Sequence, residues 1–111
     1  MPELPNDELK RYYTIGEVSE IFDVSKSLIR FWENEFSFLR PHKNSKGDRR
    51  FTRENLEQLQ VIYQLVKEKG FTLDGAKKEI RRQSTYLKEK EEQLERLREI
   101  RQFLSELRDE L

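Results

Sequence analysis

The 111-residue sequence contains no cysteine, one histidine, 4 glycines and 3 prolines. The lack of cysteine excludes disulfides, thiolate metal sites and cysteine nucleophiles, and it is compatible with a reducing compartment. His42 is the single histidine, and one imidazole cannot form a metal cluster. No run approaches the roughly 18 apolar residues of a membrane span, and the N-terminus lacks the apolar segment of a signal peptide. The sequence therefore predicts a cytoplasmic protein with no membrane partner.

Charge is abundant but unevenly placed. Charged residues make up 40% of the chain and hydrophobic residues 34%, which is polar for a compact globule, so part of the chain is expected to be extended. The net charge is zero, yet residues 24–53 hold 8 Lys or Arg against 3 Asp or Glu, a local charge of +5. Such a stripe is typical of a localised nucleic-acid contact, and it is also compatible with a merely solvated surface.

Two short helices are predicted before this stripe ends. Thr14 and Glu17 have the spacing of a capping box, and Ser25 is a good N-cap for a second helix that ends near Phe36. At about 100° per residue, the second helix has an apolar side and an open side. The apolar side holds Leu28, Ile29, Trp32 and Phe36, the open side holds Lys26, Ser27 and Arg30, and Phe31 lies at the edge. This pattern predicts a helix-turn-helix, whose second helix most often enters the DNA major groove.

The polar stretch 38–51 has no helical period and predicts a hairpin, with turn residues at 44–47. A hairpin after a helix-turn-helix is a wing. Its lysines, Lys43 and Lys46, and its arginines, Arg49 and Arg50, are candidates for contacts with backbone phosphates or a narrow minor groove. Paired arginines in a loop also occur where they only solvate a surface.

Three further helical segments are predicted after the wing. Thr52 caps a helix with core positions Leu56, Leu59, Ile62, Tyr63 and Val66, and Gly70 ends it. A short helix follows from residue 71, and the domain is expected to end near Arg82. Residues 84–111 predict one long helix that carries an apolar stripe. The stripe consists of Leu87, Leu94, Leu97, Ile100, Leu104, Leu107 and Leu111. Its imperfect heptads favour a dimeric coiled coil, whereas a helix that folds back or stays solitary is the alternative.

Taken together, these motifs resemble the MerR family of transcription regulators. The resemblance covers residues 13–81 in order, and it is carried by residues 13–18, 24–33, 47–52, 55–59 and 69–73. The family has tyrosine where this sequence has Phe31 and Trp32, so a hydroxyl contact to phosphate is lost there. The resemblance implies a mainly α fold, with a disordered tail at 1–11, a winged helix-turn-helix domain at 12–82 and an antiparallel coiled-coil dimerisation helix at 84–111.

The resemblance also implies a function. It predicts a homodimer that binds an inverted repeat in promoter DNA, bends and untwists the site, and has RNA polymerase as a further partner in the bacterial nucleoid. Arg30 would contact bases or phosphates beside Lys26, Ser27 and Phe31, and Arg49 and Arg50 would hold the flanking backbone. Because the chain stops after the coiled coil, we expect the short form of the family, with no small-molecule effector site.

Two other function classes are alternatives. Some short proteins that resemble this family modulate DnaJ-like co-chaperones, and in such a protein-interaction module the basic stripe would meet an acidic partner. An enzyme is the third alternative. The sequence gathers no nucleophile with a base, no metal-ligand set and no glycine-rich phosphate loop, so we expect neither catalysis nor a cofactor.

Overall fold

The computed structural model describes residues 2–110, and this part of the chain is mainly helical. The elements in order are α1 (Ile15–Phe22), α2 (Lys26–Glu35), β1 (His42–Lys43), β2 (Arg49–Arg50), α3 (Arg53–Tyr63), a π-helical turn (Gln64–Glu68) and α4 (Leu73–Glu110). A first compact unit ends at Ala76 and a second begins at Lys77. The predicted fold class, a winged helix-turn-helix followed by a long C-terminal helix, is confirmed.

The helices of the first unit begin at the predicted caps. The Glu17 backbone N–H donates to Thr14 Oγ1 at 3.2 Å, and the Thr14 N–H donates back to the Glu17 carboxylate at 3.3 Å. Ser25 accepts from a backbone N–H of the first turn of α2. Thr52 forms a second reciprocal box with Asn55 before α3. Since an N-cap contributes about 1 kcal/mol to helix stability, these residues define where each short helix starts.

One core lies inside the first unit. Its buried apolar side chains are Tyr13, Val18, Phe22, Ile29, Trp32, Phe36, Leu39, Phe51, Leu56, Leu59, Ile62, Leu65 and Ala76. The predicted apolar side of α2 therefore faces this core. Tyr13, Leu39 and Phe51 were not predicted to be buried, because polar residues surround them in the sequence. They flank the wing and fasten it to the helices.

The predicted hairpin is present. Strands β1 and β2 pair antiparallel, with His42 opposite Arg50 and Lys43 opposite Arg49. The Asn44 side-chain oxygen accepts from the backbone N–H groups of Lys46 and Asp48, each at 2.9 Å, and so closes the turn. Gly47 has φ 82°, a left-handed conformation that a residue with a Cβ rarely adopts.

The end of α3 departs from the prediction. The α-helix passes into a π-helical turn at Gln64–Glu68, and Leu65 is buried where the regular period predicted Val66. A π-helical turn changes the rotation per residue, so a 3.6-residue period no longer predicts which side chain faces the core. Gly70 has φ 70° and lies beyond the turn, as a C-terminal cap does.

The two predicted C-terminal helices are one continuous helix, α4. The Gly75 N–H donates to Thr72 Oγ1 at 3.0 Å at its start. The sequence between the predicted helices has no Gly or Pro. There the Glu79 carboxylate accepts from Arg82 at 2.6 Å and from Gln83 at 3.0 Å, so side-chain pairs one turn apart support the helix. The domain boundary near residue 82 stays a prediction.

The N-terminal segment, predicted as a disordered tail, has no helix or strand between residues 2 and 11. It nevertheless contacts α3. The Gln60 side-chain amide donates to the Pro2 carbonyl at 2.7 Å, and the Arg53 guanidinium donates to the Pro5 carbonyl. Its mobility stays a prediction, and Met1 lies outside the described residues. Within residues 2–110, no helix is both long enough and apolar enough to cross a membrane.

Candidate nucleic-acid interface

The turn between α1 and α2 determines how α2 is presented. Asp23 ends α1 with φ 51°, a left-handed conformation that is uncommon outside glycine and is most accessible to Asp and Asn. The Val24 N–H then donates to the Ser19 carbonyl at 3.2 Å, and the Ser19 hydroxyl donates to the Val24 carbonyl. Because this reciprocal pair fixes the chain reversal, the start of α2 at Ser25 is held relative to α1.

Helix α2 has one buried side and one open side, as predicted. Ile29 and Trp32 are 0% and 1% exposed, which anchors the helix, whereas the basic and hydroxyl side chains Lys26, Ser27 and Arg30 are exposed. Phe31 lies at the edge and is 47% exposed. A large aromatic side chain that stays half accessible beside an arginine is available to a partner surface.

The lysines of the wing are on its accessible surface. Lys43 on β1 and Lys46 in the turn are both exposed, and so is Arg50 on β2. The short ladder continues past the hairpin, because Tyr13 and Phe51 pair as an isolated bridge. The base of the wing is therefore joined to Tyr13, which lies two residues before α1.

One ion pair joins the wing to α2. Arg49 Nε donates to Glu33 Oε2, and the two side chains are 24% and 13% exposed. Arg49 was predicted as a contact to the DNA backbone, and the structure gives it this protein partner in addition. Glu33 was not predicted as a site residue. A pair 16 residues apart across two kinds of element has no sequence period that could have revealed it.

The structure brings three of the predicted site residues, Arg30, Arg49 and Arg50, to one concave surface. A cavity of about 230 Å³ is lined by Thr14, Ile15, Arg30, Gly47, Asp48, Arg49 and Arg50. We call this surface the arginine cleft. It unites the start of α1, the open side of α2 and the wing. Lys26, Ser27, Phe31, Lys43 and Lys46 do not line the cleft. Their contact with nucleic acid stays a prediction, as does that of the three arginines.

Another lysine near α1 is paired internally. Lys10 donates to the Glu17 carboxylate, and this hydrogen bond, together with the one from the Thr14 backbone, holds the pKa of Glu17 below its ordinary value of 4.5. The same bond to Glu17 raises the pKa of Lys10 above 10.5. Lys10 therefore completes the cap of α1. No group of three or more His, Asp or Glu between residues 2 and 110 is arranged to hold a metal ion.

The apolar stripe of the second unit is exposed. Its members that were predicted from the sequence are exposed as follows: Leu87 58%, Leu94 48%, Leu97 62%, Ile100 55%, Leu104 58% and Leu107 42%. Leu111 lies outside the described residues. Tyr86 and Phe103 are 55% and 60% exposed on the same helix, and the heptad pattern did not include them. A dimer contact through these side chains stays a prediction.

The sequence that forms these elements matches a known protein family. The family of MerR helix-turn-helix regulatory proteins aligns with residues 13–83, which include the helix-turn-helix, the wing, α3 and the start of α4. The chain belongs to the MerR family. The resemblance inferred from the motifs is thereby confirmed, and the match ends two residues beyond the predicted span.

A regulator protein named TubY from Clostridium botulinum C phage is 33% identical over 66 residues, which are 60% of this chain and 28% of TubY. The chain thus spans less than a third of that relative.

Two solved structures share the fold. The MerR regulator HiNmlR, which lacks the sensor domain and was solved bound to promoter DNA, has a TM-score of 0.55 and 22% identity, covering 90% of this chain and 87% of its own.

The second structure is a MerR transcriptional regulator from Bacillus thuringiensis, with a TM-score of 0.50 and 24% identity over 86% of this chain and 98% of its own. The family and these relatives are all described as regulators. None of these relatives is described as a co-chaperone modulator, and that alternative gains no support from them.

Proposed function

We propose that this MerR-family chain is a transcription regulator that binds double-stranded DNA at specific sequences. The observation that carries the proposal is the arginine cleft, where Arg30 of α2 and Arg49 and Arg50 of the wing share one concave surface. A helix anchored on one side and cationic on the other fits the major groove, and a basic hairpin beside it fits the phosphate backbone. Residues 24–53, which bear the local charge of +5, therefore include those that would face DNA.

The proposed roles follow from position. Arg30, with Lys26 and Ser27 next to it on the open side of α2, would contact base edges or phosphates in the major groove. Phe31, half accessible at the edge, would make an apolar contact to a thymine methyl or a sugar. Lys43, Lys46 and Arg50 on the wing would neutralise phosphates, which positions the protein without carrying sequence information.

The DNA target is proposed to be a promoter. HiNmlR, which has the same fold, was solved on promoter DNA, and this supports a promoter as the target here. A regulator on a promoter would lie beside RNA polymerase, which we propose as a further partner, and it would reside with the nucleoid.

The active form is proposed to be a homodimer, in which residues 12–82 bind DNA and residues 84–111 pair. A long helix whose leucines are 42–62% exposed is expected to bury them against another copy, because water-exposed apolar stripes are unfavourable. Two-fold symmetry then requires two half-sites that are inverted repeats. Because the dimer fixes the separation of its two α2 helices, it would engage both half-sites of a poorly spaced promoter by bending and untwisting the DNA.

The experiment that tests the proposal is selection of bound fragments from a pool of genomic DNA by the purified chain. We expect recovered fragments to share an inverted repeat. Affinity for the selected duplex should fall steeply as salt rises, because each neutralised phosphate releases counterions. Energy transfer between dyes at the two duplex ends would report bending. The proposal is wrong if no fragment is enriched and no duplex shows salt-dependent binding.

A further inference from the structure

An acidic side chain lies where the proposed function would favour a basic or neutral one. Glu33 is among only 3 acidic residues in the block 24–53, and it is on α2, the helix that would enter the groove. A carboxylate near DNA phosphates lowers affinity through repulsion. Its presence therefore calls for an interaction within the protein that offsets this cost.

The geometry identifies that interaction. The Glu33 side chain is only 13% exposed, and its Oε2 accepts from Arg49 Nε. The remaining guanidinium N–H groups of Arg49 have no protein partner within residues 2–110, and Arg49 lines the arginine cleft beside Arg30 and Arg50. The pair thus uses one edge of the planar guanidinium and leaves the other edge for a ligand in the cleft.

The Glu33–Arg49 pair also fixes the position of the wing relative to α2. Arg49 on β2 is the cross-strand partner of Lys43 on β1, and the next residue, Arg50, pairs with His42. Fixing Arg49 against α2 consequently fixes both strands of the wing relative to the helix that carries Arg30. Without the pair, the wing would be held at its base by the Tyr13–Phe51 bridge and the buried Phe51 side chain.

From these contacts we infer that Glu33 is a positioning residue for DNA recognition: it orients the Arg49 guanidinium and the wing so that a specific site is preferred over non-specific DNA. The inference rests on the proposed function. Non-specific binding depends on the number of phosphates neutralised, whereas specific binding depends on simultaneous placement of groups in the groove and on the backbone. Glu33 therefore lowers the affinity for non-specific DNA and raises the affinity for the specific site.

The test compares Glu33→Gln in the full chain with the wild type on two duplexes of equal length, the selected site and a scrambled sequence. Fluorescence anisotropy at several salt concentrations gives both affinities. The substitution removes one negative charge and keeps the shape. We expect affinity for the scrambled duplex to stay equal or rise, and affinity for the selected site to fall at least about tenfold, as the loss of one well-oriented contact predicts.

The matched control is Glu20→Gln. Glu20 is an exposed glutamate on α1, and its side chain has no partner in the part of the chain that the structure describes. Glu20→Gln removes the same negative charge, so the affinities for the two duplexes should change by the same factor. If Glu33→Gln also changes the affinities for both duplexes by the same factor, Glu33 acts only as a charge and the inference is overturned.

A second variant, Arg49→Lys, keeps the charge but replaces the planar guanidinium by a point-like ammonium. This variant should lose preference for the selected site and retain non-specific affinity. It also tests the inference if Glu33→Gln does not fold. A retained preference would overturn the inference. Absence of salt-dependent binding by the wild type would instead overturn the proposed function, and the inference with it.

Discussion

The backbone of Tyr13 pairs with the backbone of Phe51, and this pair joins the start of the helix-turn-helix to the end of the wing. The Tyr13 N–H donates to the Phe51 carbonyl at 2.8 Å, and the Phe51 N–H donates to the Tyr13 carbonyl at 2.9 Å. Both side chains are buried, at 4% and 0% exposure. The wing is therefore part of the folded core at its base, although its strands are only two residues long.

Replacing Phe51 by alanine tests this anchoring. Removing a fully buried phenylalanine side chain typically costs about 3–5 kcal/mol in the free energy of unfolding, because apolar contact is lost and a cavity remains. Urea denaturation followed by circular dichroism measures the change. Phe38→Ala is the control, since Phe38 is 37% exposed, and it should cost under about 1 kcal/mol. Equal losses in the two variants would contradict a wing that is anchored through Phe51.

A second prediction separates the arginines of the cleft. Arg30→Ala should weaken binding to the selected duplex by about 1–3 kcal/mol and relax sequence preference if Arg30 contacts a base. Arg50→Ala should weaken binding to all sequences similarly and reduce the salt slope by about 1, because a phosphate contact carries no sequence information. Anisotropy titrations on selected and scrambled duplexes distinguish the two patterns.

Lys69→Ala is the control for these arginines, since Lys69 is an exposed cation after the π-helical turn and does not line the arginine cleft. Its affinity for both duplexes should stay close to that of the wild type. A loss in Lys69→Ala as large as that in Arg30→Ala would show that binding depends on general charge and not on the cleft.

The local parts of the fold were predictable from the sequence because they depend on neighbours in the chain. Thr14, Ser25 and Thr52 each cap a helix through the residue three positions later, and the apolar period of α2 places Trp32 in the core. Gly47 and Asn44 likewise form a turn from adjacent residues. Such interactions leave a short-range pattern that a sequence displays.

What was missed depends on contacts between distant residues or on departures from regular geometry. The Glu33–Arg49 pair spans 16 residues, and the Tyr13–Phe51 bridge joins the segment before α1 to the residue that follows β2. The π-helical turn moved a core position from Val66 to Leu65. A single sequence contains no period for any of these features, so the arginine cleft was predicted as residues but not as a surface.

A third prediction concerns pH. The pKa of Glu17 is lowered in the folded chain by hydrogen bonds from Lys10 and the Thr14 backbone. A depressed carboxyl pKa contributes stability above its ordinary value of 4.5, and this stability is lost as pH falls through the folded pKa. The raised pKa of Lys10 contributes below its unfolded value, and its contribution is lost as pH rises through the folded pKa, above 10.5. The pair should therefore stabilise the fold across the range between these limits.

Melting temperatures of the wild type and Glu17→Gln, measured from pH 7 down to about pH 3, test this point. The difference between the two should be largest near neutral pH and shrink as the solution becomes acidic. Glu20→Gln is the control, because Glu20 is on the same helix with an unpaired side chain in residues 2–110. A constant difference between Glu17→Gln and the wild type at every pH would contradict a contribution from the ionised carboxylate.

The last prediction concerns the exposed stripe of α4. Leu94 and Leu104 are 48% and 58% exposed, and at about 100° per residue both lie on the apolar side of the helix. If these side chains are buried between two copies, Leu94→Glu with Leu104→Glu places carboxylates in an apolar contact and shifts the protein to monomer. Sedimentation velocity measures the mass. Because a monomer holds one half-site only, affinity for the inverted repeat should fall toward that for a single half-site.

Lys88→Glu is the matched control for the double variant. It changes the net charge by the same amount, and Lys88 is an exposed residue that lies about 120° from Leu94 around the helix. This variant should keep the wild-type mass and DNA affinity, since its carboxylate would face water. If the double variant and Lys88→Glu sediment alike as dimers, the leucines of the stripe do not form the contact between copies, and the second copy must pair through another surface.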